Sequence, residues 1–212
     1  MVDYIGAIKR PFSDSKKLLL GLLFSVIPIV NFIGSGYQLE CCRSAYKNKL
    51  VLPEWKNYGE LFIKGILNGV IWTIYSIPVI AVFLYVVWSS LFTLANLYES
   101  DTSVFLAELI RSVGYSLIAI VLLGILTTYV CYYASVRFAM NYKFKEAFEF
   151  KEILKGIVRK EYSLAWLVAG IYSLIIGLLL GIIPFIGSGI AGFLSGVTFM
   201  TVLGQVYKEQ NL

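Results

Sequence analysis

The chain has 212 residues, 58% hydrophobic and 15% charged, with a mean hydropathy of +0.78 and a formal charge of +5. A soluble domain carries about 25% charged residues, so this composition excludes an ordinary water-soluble fold and points to a membrane protein. The absence of histidine, with three cysteines and no CxxC spacing, offers neither a metal set nor a disulfide framework, and no cofactor is expected.

Four stretches lack charge: Leu18–Leu39, Gly65–Tyr98, Ser112–Val136 and Tyr162–Tyr207. The first follows Lys9, Arg10, Lys16 and Lys17, which would suit a signal peptide. However, it runs on into Phe-Ile-Gly-Ser-Gly-Tyr without a small-x-small cleavage site, and is retained as structure. It carries "IPIVNFIGSG" from Ile27, answered near the other end by "IPFIGSG" from Ile183. Proline ends a helix and glycine permits a reversal, so both copies predict hairpin turns, with Pro28, Gly34 and Gly36 in one and Pro184, Gly187 and Gly189 in the other. The first hairpin has arms of only about 20 Å; it is expected to be re-entrant, with Asn31 at its buried tip. Cys41 and Cys42, near its base, are small residues filling helix contacts or acylation sites. Glu40 lies one turn before Arg43, as an i, i+3 pair snorkelling to the interface would.

The segment Cys41–Ile66 follows, with Pro53, Trp55 and Tyr58 suggesting an interfacial linker. It is similar to Ala134–Ile157: Arg43 matches Arg137, and the Glu60-Leu-Phe-Ile-Lys-Gly block matches Glu152-Ile-Leu-Lys-Gly. The repeat is expected to be parallel, with halves of approximately 1–98 and 104–212 in a single membrane domain. Between the linkers run two long spans, Leu61–Tyr98 and Val104–Val136, the first containing Asn68 and a Gly65–Gly69 contact spacing. Trp88 marks the outer interface, and Ser89–Tyr98 with Val104–Ser116 is expected to form an external helical cap joined at Glu99–Asp101. In the second linker Phe144, Phe148, Leu154 and Ile157 alternate with Lys143, Lys145, Lys151 and Glu152, which predicts an amphipathic helix in the interface. The acidic interleaving argues against nucleic acid. In the last stretch, Gly177 and Gly181 are expected to pack against a Ser188–Gly192–Gly196 stripe.

All of the 18 Lys and Arg except Arg111 fall at Lys9–Lys17, Arg43–Lys64, Arg137–Lys160 and Lys208. Basic residues in short loops mark the cytoplasmic side, whereas Arg111 lies among Glu99, Asp101 and Glu108. The parity that follows is an all-α membrane bundle of about six segments, arranged hairpin–span–span–hairpin, in the cell membrane with both termini cytoplasmic. No charge lies at central depth in any full span, which argues against ion-coupled transport and voltage sensing. Without histidine, and with acids only at the interfaces, no general base is in place, and the chain is not expected to be an enzyme.

The run from "IKRPFSDSKK" through the Ile-Pro hairpin, the Leu-Pro-Glu-Trp linker and the Glu-Leu-Phe block resembles a polytopic membrane family. That family is domain of unknown function four-thousand-thirteen, common in archaea. The later Ala-Phe-Glu-Phe linker and the final Leu-Gly-Gln-Val-Tyr agree with it. The resemblance implies fold and location and brings no chemistry. There is also a distant similarity to membrane domains of glycerophosphodiester phosphodiesterases. Two readings stand. One is a membrane-embedded interaction or lipid-organising protein, with anionic headgroups at the cytoplasmic face as partners of Arg43, Arg137, Lys143 and Lys145. The other is an uncoupled channel or permease for a small or apolar solute, lined by Asn31, Gln38, Asn68 and Thr73.

Overall fold

The computed structural model describes residues 2–96, 102–184 and 186–210, with side chains for all but 93–96, 102–113 and 115. Glu99, Ser100 and Asp101, at the expected external joint, and Phe185 of the second repeat lie outside the described residues, as do the side chains of Glu108 and Arg111. Every described element is helical, and two compact units form, Met1–Ile71 with Tyr132–Leu212 and Trp72–Cys131.

In the larger unit, α1 (Tyr4–Lys9) starts at Asp3, whose carboxylate accepts from the Gly6 N–H at 2.8 Å. A short 3-10 turn over Arg10–Ser13 leads to α2 (Ser15–Val26). Asp14 caps α2 by accepting from the backbone N–H groups of Lys17 and Lys16, and these bonds hold its carboxyl below the usual range. α2 stops where the sequence predicts, for a local reason: Ile27 precedes proline and takes extended backbone, φ −87° and ψ 119°.

The reversal itself is not made by glycine. Ile29 carries the positive φ of 70°, and no described glycine has one. Gly34 and Gly36 lie inside α3 (Asn31–Tyr46), while Gly187 and Gly189 lie in the first turn of α8 (Gly187–Gln210). Their role is close approach. A Cβ on Gly36 would overlap the Leu61 carbonyl, and one on Gly65 would overlap that of Phe32, so α3 and the start of α4 (Tyr58–Asn96) touch backbone to backbone. A Cβ on Gly189 would lie 2.8 Å from the Ser25 carbonyl oxygen.

α7 (Lys160–Leu180) and α8 pack on each other as the second hairpin, and α8 also packs on α1, α2 and α3. α8 is the core helix, buried almost continuously from Phe193 to Val206. It runs parallel to α3: Gly196 meets Gln38 and, further along both helices, Gly204 meets the Cys42 carbonyl. Gly177 differs from expectation, since nothing stands within 4 Å of a Cβ there. That arm faces outward, with Leu167, Ile171, Leu174 and Leu178 exposed.

The linker after α3 also departs from the interfacial reading. It forms no helix before Tyr58, and Trp55 is buried at 8% exposure, stacked on Tyr37 with ring centroids 3.8 Å apart. The indole N–H donates to the Lys17 carbonyl at 3.1 Å, and the Tyr37 hydroxyl donates to the Pro53 carbonyl at 2.9 Å. The second linker is helical, with a 3-10 turn at Phe144–Phe148 and α6 at Phe150–Ile157.

The smaller unit consists of the distal part of α4 and the first three-quarters of α5 (Thr102–Asn141). α4 continues unbroken through Pro78 and Ser89 to Asn96, so the expected cap begins as an extension of the same helix. Phe83, Leu84, Tyr85 and Trp88 of α4, and Leu117, Val121 and Leu122 of α5, are exposed, an outward apolar surface that suits hydrocarbon rather than water.

Among the described residues four helical stretches are long and apolar enough to cross a membrane: Tyr58–Phe92, Ser116–Asn141, Lys160–Leu180 and Gly187–Gln210. This indicates membrane association. With 12 and 16 residues, α2 and α3 reach only about 18 and 24 Å, short of the roughly 30 Å hydrocarbon core.

Candidate functional site

The charged residues of the larger unit gather around the ends of α3, α5 and α8 and the start of α4. Arg10, read from sequence only as a flanking cation, is the most deeply placed of them, at 2% exposure. Its Nη1 donates to the Cys41 carbonyl and to Thr201 Oγ1, both at 2.8 Å; its Nη2 donates to Ser44 Oγ and to the carbonyls of Lys49 (3.2 Å) and Val51 (3.0 Å). The guanidinium closes the C-terminal end of α3, where the negative end of the helix dipole favours a cation. No carboxylate pairs with it among the described residues. The sequence signal was weak: only the neighbouring Pro11, which rigidifies the turn, sets Arg10 apart from Lys9.

Glu40 does not pair with Arg43. Lys64, 8% exposed, bridges Glu40 and Glu60 at 2.6 Å each, and its ammonium stands 3.8 Å from the centre of the Tyr142 ring. Arg43 stands over the same ring at 5.0 Å. Burial first, then the Glu40 carboxylate, pushes the Tyr142 phenol far above its ordinary range. A cluster of two cations, two carboxylates and an aromatic face is internally neutral, and it holds α3, α4 and the end of α5 together. Cys41 and Cys42 are buried at 0% exposure beside it, and burial pushes the Cys41 thiol up to about 12. The structure therefore places both thiols as packing residues, inaccessible to acylation.

The second linker presents an exposed surface. Arg137 donates through Nε to the Glu146 carbonyl at 3.1 Å and through Nη2 to the Glu149 carboxylate, tying the linker to α5. Ile153 and Ile157 of α6 turn inward, at 1% and 8% exposure. Gly156 lets α6 approach the Tyr133 ring, and the Tyr133 hydroxyl donates to Gln210 Oε1 at 3.0 Å. The adjoining part of the same apolar side stays outside: Phe150 and Leu154 of α6 and its cap residue Val158, spaced four residues apart, are 58%, 57% and 78% exposed. Lys143, Lys145, Lys151 and Lys155 are exposed beside them. Lys155 also donates to Glu152 at 2.8 Å, which holds the Glu152 carboxyl below its usual range.

Asn31 and Asn68 lie away from this charged end. Asn31 is exposed at the start of α3, not buried at a tip, and Asn68 is buried behind Ser35, to which its Nδ2 donates at 3.3 Å. The turn residues Pro28 and Pro184 are likewise exposed. Among the described residues no group of three or more acidic or thiol side chains could hold a metal ion.

The chain matches the family described as protein of unknown function (DUF4013) over residues 19–185. It belongs to that family. The match takes in both linkers and every hairpin and span helix from α2 to α7, and it stops at the second FIGSG copy, before α8. No curated protein and no solved structure matches the chain.

Proposed function

We infer that this family member is a membrane-embedded lipid-organising protein, without catalysis of its own, that gathers anionic lipid at its cytoplasmic face. The observation that carries the reading is the broad apolar side of α6, of which the protein covers only one part. That part anchors in the protein through Ile153 and Ile157, while Phe150, Leu154 and Val158 remain exposed beside lysines. An apolar stripe flanked by cations suits the headgroup–acyl boundary, and each lysine near an anionic surface contributes about 1 kcal/mol of attraction.

The three native thiols are buried, so a cysteine introduced at Leu154 can be spin-labelled alone. In vesicles of the full chain, the label at Leu154→Cys should be more accessible to oxygen than to an aqueous nickel chelate. The triple change Lys143→Glu, Lys145→Glu, Lys151→Glu should cut the preference for spin-labelled anionic over zwitterionic lipid at least two-fold. A water-exposed label, or a native protein with no anionic preference, sinks the reading.

A further inference from the structure

Residues of both FIGSG copies reach one cleft. Ser35 from the first and Ser188 from the second line this cleft of about 250 Å³, together with Asn31, Gln38 and Ser25, room for on the order of eight waters. The geometry points to a binding site here for an uncharged, hydroxyl-rich group: the polyol headgroup of a neutral lipid or a free polyol.

The chemistry follows by elimination from the lining. No acidic or basic side chain lines the cleft, so a charged ligand would shed its hydration with nothing to balance it. A purely apolar ligand would leave amides and hydroxyls unpaired, at the full desolvation cost of each. Hydroxyl groups, which donate and accept at once, satisfy serine and amide side chains alike.

The donors and acceptors are also held ready. Asn68 is 7% exposed, and its Nδ2 donates to Ser35 Oγ at 3.3 Å, leaving the Ser35 proton to point elsewhere. Gln38 Nε2 donates to the Gly192 carbonyl at 3.2 Å, which fixes the amide across the cleft and leaves its oxygen as an acceptor. The side chains of Asn31 and Ser188 form no hydrogen bond among the described residues. Moreover, α3 and α8 run parallel and both begin at this end. Their positive dipole ends therefore face the same region and favour oxygen-rich groups, although the N–H groups of Asn31, Phe32, Ile33, Gly187 and Ile190 are already bonded to carbonyls of the turns. Repetition of the motif thus has a use: each copy supplies one serine and one helix start to a shared site. The site is independent of α6 and its lipid surface.

The test uses the full chain in nanodiscs with radiolabelled 1-monooleoylglycerol as probe. Binding should be saturable, and Ser188→Ala with Asn31→Ala should weaken it at least ten-fold. Gly192→Leu should abolish it, because a Cβ at Gly192 meets nothing within 4 Å and the side chain can fill the cleft without disturbing the helices. These changes touch no internal hydrogen bond of a side chain, so native helicity and elution are expected of both variants. Competition by free glycerol at millimolar concentration would assign the site to a free polyol, and lack of competition to a lipid headgroup. Absence of saturable binding, binding unaffected by Gly192→Leu, or equal binding of oleate would overturn the proposal.

Discussion

Arg10 is buried without a carboxylate partner, a placement that costs desolvation unless hydrogen bonds replace the lost water. Here they do for both terminal nitrogens: two carbonyls beyond α3, one within it and two hydroxyls receive them, while Nε finds no partner among the described residues. Arg10→Ala would leave several of these acceptors dry, at about 1–3 kcal/mol for each unsatisfied group. We expect a loss of about 3 kcal/mol or more in stability, read as a shift in unfolding by SDS titration. Arg10→Lys should recover only part of it, since an ammonium cannot span the forked set of partners. A loss below about 1 kcal/mol for Arg10→Ala would show that water enters and replaces the guanidinium. None of this was legible in the sequence, because the partners are 31 to 191 residues away and a basic residue near a membrane flank has a simpler reading. The same holds for Lys64. Its pairing with Glu40 crosses from α4 to α3, whereas sequence spacing offers Glu40 only the local partner Arg43 and Lys64 only Glu60.

At the scale of elements, the prolines were readable and the glycines were misread. Pro28 does stand where α2 ends, because the steric rule for proline is local; α7 stops at Leu180, and Pro184 lies beyond its cap Gly181 in the turn. The FIGSG glycines follow the turns rather than make them, because the need for a missing Cβ arises from a neighbouring helix that the sequence does not display. Gly36→Ala and Gly65→Ala should each cost about 1–3 kcal/mol, the usual range for overpacking, since the added Cβ meets backbone that cannot rotate away. Gly177→Ala should be neutral or stabilising by up to about 1 kcal/mol, because that position faces open space within a helix. Equal effects at all three positions would refute the close-approach account. The linkers divide in the same way. Both read as aromatic and basic, yet Trp55 finds Tyr37 and the core, while Phe150 and Leu154 of α6 stay more than half exposed. Aromatic content alone cannot separate a core clamp from a lipid anchor; helical periodicity, present at α6 and absent around Pro53, would have been the better discriminator.

At the scale of the whole chain, charge sets sidedness and helix length sets what can cross. The backbone N–H of Asp3 donates to Gln205 Oε1 at 2.7 Å, so the first helix and the last meet at one end of the larger unit. Lys17 reaches Glu54 at 2.6 Å, and Arg159 reaches the Gln210 carbonyl at 2.7 Å, which draws the three basic segments toward the chain ends. Both hairpin turns lie away from these contacts, at the end where α3 and α8 begin. If the basic segments face the cytoplasm, as loop lysines and arginines do, then α2–α3 and α7–α8 each enter and return. α4 and α5 then each cross once. The expectation is checked by cysteine labelling in intact cells, for which the buried native thiols provide a quiet background. Asn48→Cys, exposed after α3, should react with an impermeant maleimide only after permeabilisation. Ser100→Cys, between α4 and α5, should react from outside without it. The reverse pattern would invert the protein, and labelling of both sites from one side would show that α4 does not cross.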